Sequence, residues 1–347
     1  MPSPFIDLLA AARPRLRPPV AVALGAPRLA ADLVAALGLP DTVCYQMDLH
    51  QADRMRVELR EIGADAAVVV KPDLWDLPAE FNAVLFPAPP RGERELKRDV
   101  VEQAYHVLRP RGLLVVLSLV PKDQFFPAVM KKAFGKVALE TGRAGTALWS
   151  PRGADHSRRR HEIAFHLKAP CGSTTDSLIF VSRPGVFAYG RMDEGARALV
   201  EVAEVRPGDN IVDIGCGTGA VGVIAGLHAG PGGTVSFVDS NVRAAALAEI
   251  NARANGITNF CAVADAKLEG LPSRQFDLAL ANPPYFAQLG IAQLFIEGAR
   301  RLLRPGGRIY VVTRHADVVG RMIQEIIGEP QIVSRRDYAV LSATKSD

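Results

Sequence analysis

At 347 residues the chain is about twice the usual single-domain length, so it has room for two domains with a core each. A hydrophobic fraction of 48%, a charged fraction of 22% and a mean hydropathy of +0.11 exclude a disordered chain, and the longest apolar stretches, such as residues 113–120, fall far short of the roughly 20 residues that cross a bilayer. The net charge of +4, with a pI near 8.9, permits a polyanionic partner without requiring one.

At the start of the chain, the apolar residues 5–12 precede Arg13, Arg15 and Arg17, the reverse of the charge order in a secretory signal. The expectation is a soluble, cytoplasmic protein without membrane contact. The four cysteines Cys44, Cys171, Cys216 and Cys261 are widely spread, with no Cys-x-x-Cys pair and no histidine cluster at zinc spacing. They read as reduced, apolar side chains, and no metal is expected.

Residues 81–85 match residues 276–280, and Leu108-Arg109-Pro110-Arg111-Gly112 matches Leu303-Arg304-Pro305-Gly306-Gly307, both across the same interval of 195 positions. Earlier landmarks follow with small gaps: Leu24-Gly25 parallels Ile214-Gly215, and residues 42–48 parallel residues 234–239. This ordered series predicts a duplicated domain. The first copy has a single glycine, Gly25, where the second has three alternating ones, and Pro87-Ala88-Pro89-Pro90 where the second has Asn282-Pro283-Pro284-Tyr285. It therefore reads as a copy that kept the fold and lost the chemistry.

Residues 150–160, rich in Pro, Gly, Arg and Ser, read as a linker, and the expected domains are 1–155 and 156–347. Alternation in residues 162–167 and 178–181 predicts a hairpin leading into the second domain. Beyond it, strands are predicted at 210–214, 234–238, 260–264, 276–281 and 308–313, with two more near 331–333 and 339–343. Helices are predicted at 219–228, 242–255, 291–303 and 318–327. Strands alternating with helices imply an α/β fold: two tandem Rossmann-like domains, each a doubly wound, mostly parallel sheet of the seven-stranded type, with ligands at the carboxyl ends of the strands.

Gly215-Cys216-Gly217-Thr218-Gly219 follows the first of these strands. A turn without Cβ atoms lets the backbone approach a ligand and aims the next helix's N–H groups into the crevice. About 20 residues on, Asp239, followed by Ser240, ends the second strand, where a carboxylate can accept both hydroxyls of a ribose. Asp265, followed by Ala266, ends the third, where it can accept from an adenine amino group or simply cap a turn. The turn also fits a nicotinamide dinucleotide fingerprint through Gly215, Gly217 and Ala220. Against that stand the acid Asp213 before the turn, Asp265, and a motif that a dehydrogenase leaves unexplained.

That motif is Asn282-Pro283-Pro284-Tyr285. An exocyclic amine on a base is a poor nucleophile because its lone pair is delocalised into the ring. The Asn282 side-chain oxygen and the Pro283 carbonyl can accept its two N–H bonds and favour the pyramidal, attacking form. Paired prolines fix both acceptors in advance. Tyr285 can stack on the flat base, and Phe286 can form a second apolar wall.

On these residues the chain resembles the class I S-adenosylmethionine-dependent methyltransferases that carry Asn/Asp-Pro-Pro-Tyr/Phe and methylate amino groups of adenine, guanine or glutamine. It is most similar to the ribosomal RNA guanine-N2 methyltransferases of the RsmC and RlmG type, tandem proteins with a degenerate N-terminal domain. The likeness extends over Pro184-Gly185-Val186-Phe187, Met192-Asp193-Glu194-Gly195 and residues 310–315. It implies S-adenosylmethionine as cofactor, an acid near the methionine ammonium at Asp213, and ribosomal RNA or a ribosomal subunit as partner. Tyr285-Phe286 departs from the family's Phe-His, which keeps adenine N6, glutamine N5 or a small molecule open as acceptors. A non-catalytic RNA-binding assembly factor is the reading of a different class. Basic spots at residues 157–161, Lys131-Lys132, Arg314-His315 and Arg335-Arg336 can meet RNA phosphates, and Arg314 is the substrate-binding candidate among them.

Overall fold

The computed structural model describes residues 3–153, 157–171, 174–284 and 289–346. The chain divides into two units, Met1–His161 and Glu162–Asp347.

In the first unit, strands β1 (Val20–Ala23), β2 (Thr42–Gln46), β3 (Ala67–Val70), β4 (Phe81–Ala88), β5 (Leu108–Ser118), β6 (Ala138–Gly142) and β7 (Gly145–Pro151) form one sheet in the order β3-β2-β1-β4-β5-β7-β6. Its helices are α1 (Pro4–Ala12), α2 (Pro27–Leu37), α3 (Leu49–Glu61), α4 (Arg94–Val107) and α5 (Phe125–Phe134). The second unit begins with the hairpin β8 (Ile163–Cys171) and β9 (Thr174–Ser182), then α6 (Glu194–Val202). Strands β10 (Asn210–Ile214), β11 (Thr234–Asp239), β12 (Phe260–Ala264), β13 (Phe276–Ala281), β14 (Leu303–Thr313), β15 (Gln331–Arg335) and β16 (Tyr338–Thr344) follow, interleaved with α7 (Ala220–Ala229), α8 (Val242–Ala254), α9 (Leu289–Leu302) and α10 (Ala316–Ile326). Their sheet runs β12-β11-β10-β13-β14-β16-β15, the same order, parallel except for β15 and β16.

Central strands are buried on both faces, which is why β10 carries the apolar Ile211, Val212 and Ile214 and buries Asp213 with them. On one face Ile211, Leu278, Leu280 and Val312 pack against Leu199 of α6, Val223 of α7 and Ala248 of α8. On the other, Val212, Ile214, Ala279 and Val311 pack against Ile296 of α9 and Ile323 of α10.

The interval of 195 residues corresponds to a shared irregularity. Phe81 pairs with Leu108 and then Ala83 with Leu113; Phe276 pairs with Leu303 and then Leu278 with Arg308. This bulge extends β14 back to Leu303, five residues before the predicted start at 308. A glycine closes each bulge: a Cβ on Gly112 would lie 2.9 Å from the Arg109 carbonyl oxygen and 3.0 Å from that of Phe81, and one on Gly307 would lie 2.9 Å and 3.0 Å from those of Arg304 and Phe276.

The earlier parallels shift by one residue. Ala23 pairs with Tyr45 as Ile214 pairs with Val238, and the N–H groups of Leu24 and Gly215 donate to the carbonyls of Tyr45 and Val238. Leu24, not Gly25, is therefore the counterpart of Gly215, and both have positive φ, 52° and 70°. By the same ladders Val22 stands for Asp213, Gln46 for Asp239 and Lys71 for Asp265. Asp48 matches neither: it caps α3 by accepting from the Gln51 N–H.

Because the Gly307 contacts are with backbone, Gly307→Ala should lower the unfolding free energy of the second unit by about 1–3 kcal/mol in urea titrations. An unchanged midpoint would contradict the shared-bulge account.

Candidate active site

Asp213, Gly215, Cys216, Gly217, Thr218 and Asn282 line one crevice at the carboxyl edge of the second sheet. Parallel pairing places them there: Ile214 lies beside Ala281, so the glycine turn and the Asn282 segment leave adjacent strands side by side. Gly215, Gly217 and Gly219 all have positive φ (70°, 56° and 80°), the left-handed region that glycine enters without strain. A Cβ on Gly217 would meet nothing within 4 Å, whereas one on Gly219 would lie 3.0 Å from Ala248. The middle of the turn faces open space and its end packs on α8.

Gly219 precedes α7 and offers no capping side chain, so Asp213 supplies one from β10: its Oδ2 accepts from the Gly222 N–H at 2.9 Å. Asp213 is 3% exposed, and burial, opposed by the Gly222 bond and reinforced by the Asp239 charge, pushes its carboxyl up to about 7. Burial, with the charges of Asp239 and Asp213, also pushes the Cys216 thiol well up, so this side chain shapes the wall as a neutral group.

Asp239 holds the turn from the next strand. Its Oδ2 accepts from the Gly217 N–H at 2.9 Å and its Oδ1 from the Asn241 N–H at 2.8 Å. Asp265 follows β12 and donates its N–H to the Asp239 carbonyl at 2.9 Å, which sets the two acids on neighbouring strand ends. Its carboxylate closes a turn, accepting from Lys267 at 2.8 Å and Gly270 at 2.7 Å. Ser240 and Ala266, half-buried, extend the same edge.

Asn282 is half-buried and Pro283 buried. The Asn282 Nδ2 donates to Asp193 Oδ2 at 3.3 Å, which sets the nitrogen end of the carboxamide toward the acid and leaves the oxygen end as its acceptor side. Tyr285 and Phe286 lie outside the described residues. Arg314 is exposed past β14, with its guanidinium 4.6 Å over the Tyr338 ring and Nη2 donating to Tyr338 Oη at 3.1 Å. Among the described residues no cluster of His, Cys, Asp or Glu could hold a metal.

Phe187, Arg191, Met192 and Asp193 also line the crevice; the family resemblance sets the Met192–Gly195 segment over the cofactor, whereas sequence reasoning gave Phe187 and Arg191 no site role. Asp193 caps α6, accepting from Gly195 at 2.9 Å and Ala196 at 3.3 Å. An aspartate ahead of an apolar helical repeat was its readable signal.

Residues 177–342 match the family model of the methyltransferase small domain. That match covers just under half of the chain and makes its C-terminal half similar to the methyltransferase small domain family. The dinucleotide alternative for the glycine turn falls away with this match. Over 178 residues, 49% of this chain and 52% of the relative, the chain is 32% identical to a ribosomal RNA small subunit methyltransferase C of Chromohalobacter salexigens. Over 175 residues, 48% of this chain and 45% of the relative, it is 35% identical to a ribosomal RNA large subunit methyltransferase G of Streptomyces coelicolor. These matches span about half the length of either relative. A match to a small subunit methyltransferase C of Pseudomonas aeruginosa is longer, 87% of this chain and 86% of that one, at 25% identity. In fold, the chain resembles a T. thermophilus 16S rRNA N2 G1207 methyltransferase solved with AdoMet and guanosine: TM-score 0.74, 20% identity, covering 99% of this chain and 92% of that one.

The Asp213 shift fixes a pH dependence for the ligand-free methyltransferase domain. A carboxyl raised from 3.8 to about 7 binds its proton more tightly folded than unfolded. Its contribution is fully present below about pH 4 and is lost as pH rises through about 7. Asp213→Asn, which keeps an acceptor for Gly222, should remove this slope and raise the melting temperature at pH 8 by about 3 °C or more. Parallel melting curves for both proteins at every pH would contradict the assignment.

Proposed function

We propose that the protein transfers a methyl group from S-adenosylmethionine to the exocyclic N2 of a guanine in ribosomal RNA, acting in the cytoplasm on naked RNA or an assembling subunit. The observation that carries this reading is the sharing of one crevice by the Asn282 carboxamide, the Gly215–Gly219 turn and the buried Asp213. The names of the relatives support the RNA acceptor.

The residues present suit the cofactor. Left-handed glycines leave the turn open at Gly217, carboxylates end β11 and follow β12, and the buried acid Asp213 lines the same crevice. Gly215, Gly217 and Gly219 would cradle it, with Asp239 and Ser240 toward the ribose and Asp265 and Ala266 toward the adenine. When bound, S-adenosylmethionine supplies an electrophilic methyl group on a sulfonium.

The protein's own work is orientation. Asn282 Oδ1 and the Pro283 carbonyl accept the two amino hydrogens, turning the guanine nitrogen's lone pair toward the crevice. Asp193, by taking the Asn282 amide nitrogen, holds the oxygen end in the accepting position. Tyr285 and Phe286 stack and wall the base. No strong base is required, because a nitrogen that has gained a methyl group loses its proton readily to water. Arg314, exposed at the end of β14, meets an RNA phosphate.

Asn282→Ala should reduce single-turnover methylation of RNA at least 100-fold while S-adenosylmethionine binding by calorimetry changes less than about twofold. Wild-type turnover in this variant would refute the role of the carboxamide.

A further inference from the structure

The segment that joins β9 to α6 lines the crevice and is fixed at both ends. At one end Arg243 donates to the Pro184 carbonyl, Asn241 Nδ2 donates to that of Gly185 at 2.8 Å, and Val186 packs on Ala244 and Leu247 of α8. At the other, Met192 is buried and Asp193 caps α6. Between them the Arg191 N–H closes a turn by donating to the Ala188 carbonyl at 3.1 Å, with φ of 58° at Ala188 and 73° at Gly190. A left-handed φ is sparsely populated for a residue with a Cβ, and such conformations gather at ligand clamps.

This turn sets Arg191 in the crevice wall with Asp193, Asp213 and Asn282. Among the described lining residues it is the one cation, and it is exposed. The arginines on either side along the chain are engaged: Arg183 lies 2.7 Å from Glu162, and Arg197 lies 3.4 Å from Glu194. Among the described residues no acid pairs with Arg191.

The glycine turn has few donors left for an anion. The N–H groups of Gly215 and Cys216 both donate to the Val238 carbonyl, at 2.8 Å and 3.0 Å, and that of Gly219 donates to the Cys216 carbonyl at 2.8 Å. The Gly217 N–H is taken by Asp239. Two further wall residues, Asp193 and Asp213, are acids that repel an anion. S-adenosylmethionine nevertheless carries a carboxylate beside the ammonium of its methionine end. Held near acids without a counter-charge, that carboxylate would lose its hydration for nothing. A guanidinium offers it paired, coplanar N–H donors and a permanent positive charge.

We propose that Arg191 binds the methionine carboxylate of S-adenosylmethionine and makes the crevice selective for cofactors that carry it. The inference rests on the cofactor named above and supplies a partner for the one charged group that Asp213, Asp239 and Asp265 leave unserved.

Calorimetry on the full chain tests it, with S-adenosylmethionine and its decarboxylated analogue, which keeps the sulfonium and the amine, as the two ligands. Wild type should bind S-adenosylmethionine about tenfold more tightly than the analogue, and Arg191→Gln should bind both with the affinity that wild type shows for the analogue. Arg191→Lys, which keeps the charge and loses the paired donors, should recover part of the preference. Melting temperatures of both variants should match wild type. A tenfold preference retained by Arg191→Gln would overturn the assignment, as would equal binding of the two ligands by wild type or an equal loss of affinity for both in the variant. A wild-type chain that binds neither ligand would sink the cofactor reading together with this inference, whereas the preceding results leave that reading standing.

Discussion

The parallel register of β10 between β11 and β13 is the constraint on which the crevice depends. With Ile214 beside both Val238 and Ala281, three chains leave the sheet at one edge, carrying Gly215, Asp239 and Asn282 within a strand spacing or two of one another. Asp265 joins them one strand further out. A one-residue slip of β10 would send Asp213 to the α9 side of the sheet and leave the Gly222 N–H uncapped. Burial of β10 on both faces makes such a slip costly, since every apolar side chain would change layers.

Two units with one strand order carry opposite chemistry at that edge. In the second, Asp213, Gly215, Asp239 and Asp265 combine a buried acid, an open turn and two carboxylates at the strand ends. In the first, Val22, Leu24, Gln46 and Lys71 hold the matching positions. Only three residues, Leu24 to Ala26, separate β1 from α2, against five between β10 and α7. Gln46 Nε2 donates to the Gly25 carbonyl at 2.6 Å, and a Cβ on Gly25 would lie 3.4 Å from Pro87, the counterpart of Asn282. The first turn is thus closed by its own side chains.

Much of this was legible in the sequence because the signals were local. Strand ends in the second half fell where apolar runs meet Gly, Asp or Asn, and the 195-residue interval survived because a backbone bulge fixes a glycine at both 112 and 307. The one-residue error in the earlier parallels has a physical origin. Matching by glycine identity aligned Gly25 with Gly215, but the left-handed position of the first turn is occupied by Leu24, which no composition rule flags. Helix α6 went unpredicted although Asp193 caps it, and the partnership of Asp193 with Asn282 spans 89 positions, beyond any periodicity. Likewise, the neutralisation of basic spots depends on acids distant in sequence, such as Glu201 beside Arg335 and Arg336.

Mass analysis of ribosomal RNA nucleosides from cells with and without this protein tests the central claim most directly. The account predicts that N2-methylguanosine falls by one residue per ribosome in its absence and returns with the wild-type chain. An unchanged N2-methylguanosine content, or the loss of N6-methyladenosine instead, would contradict it.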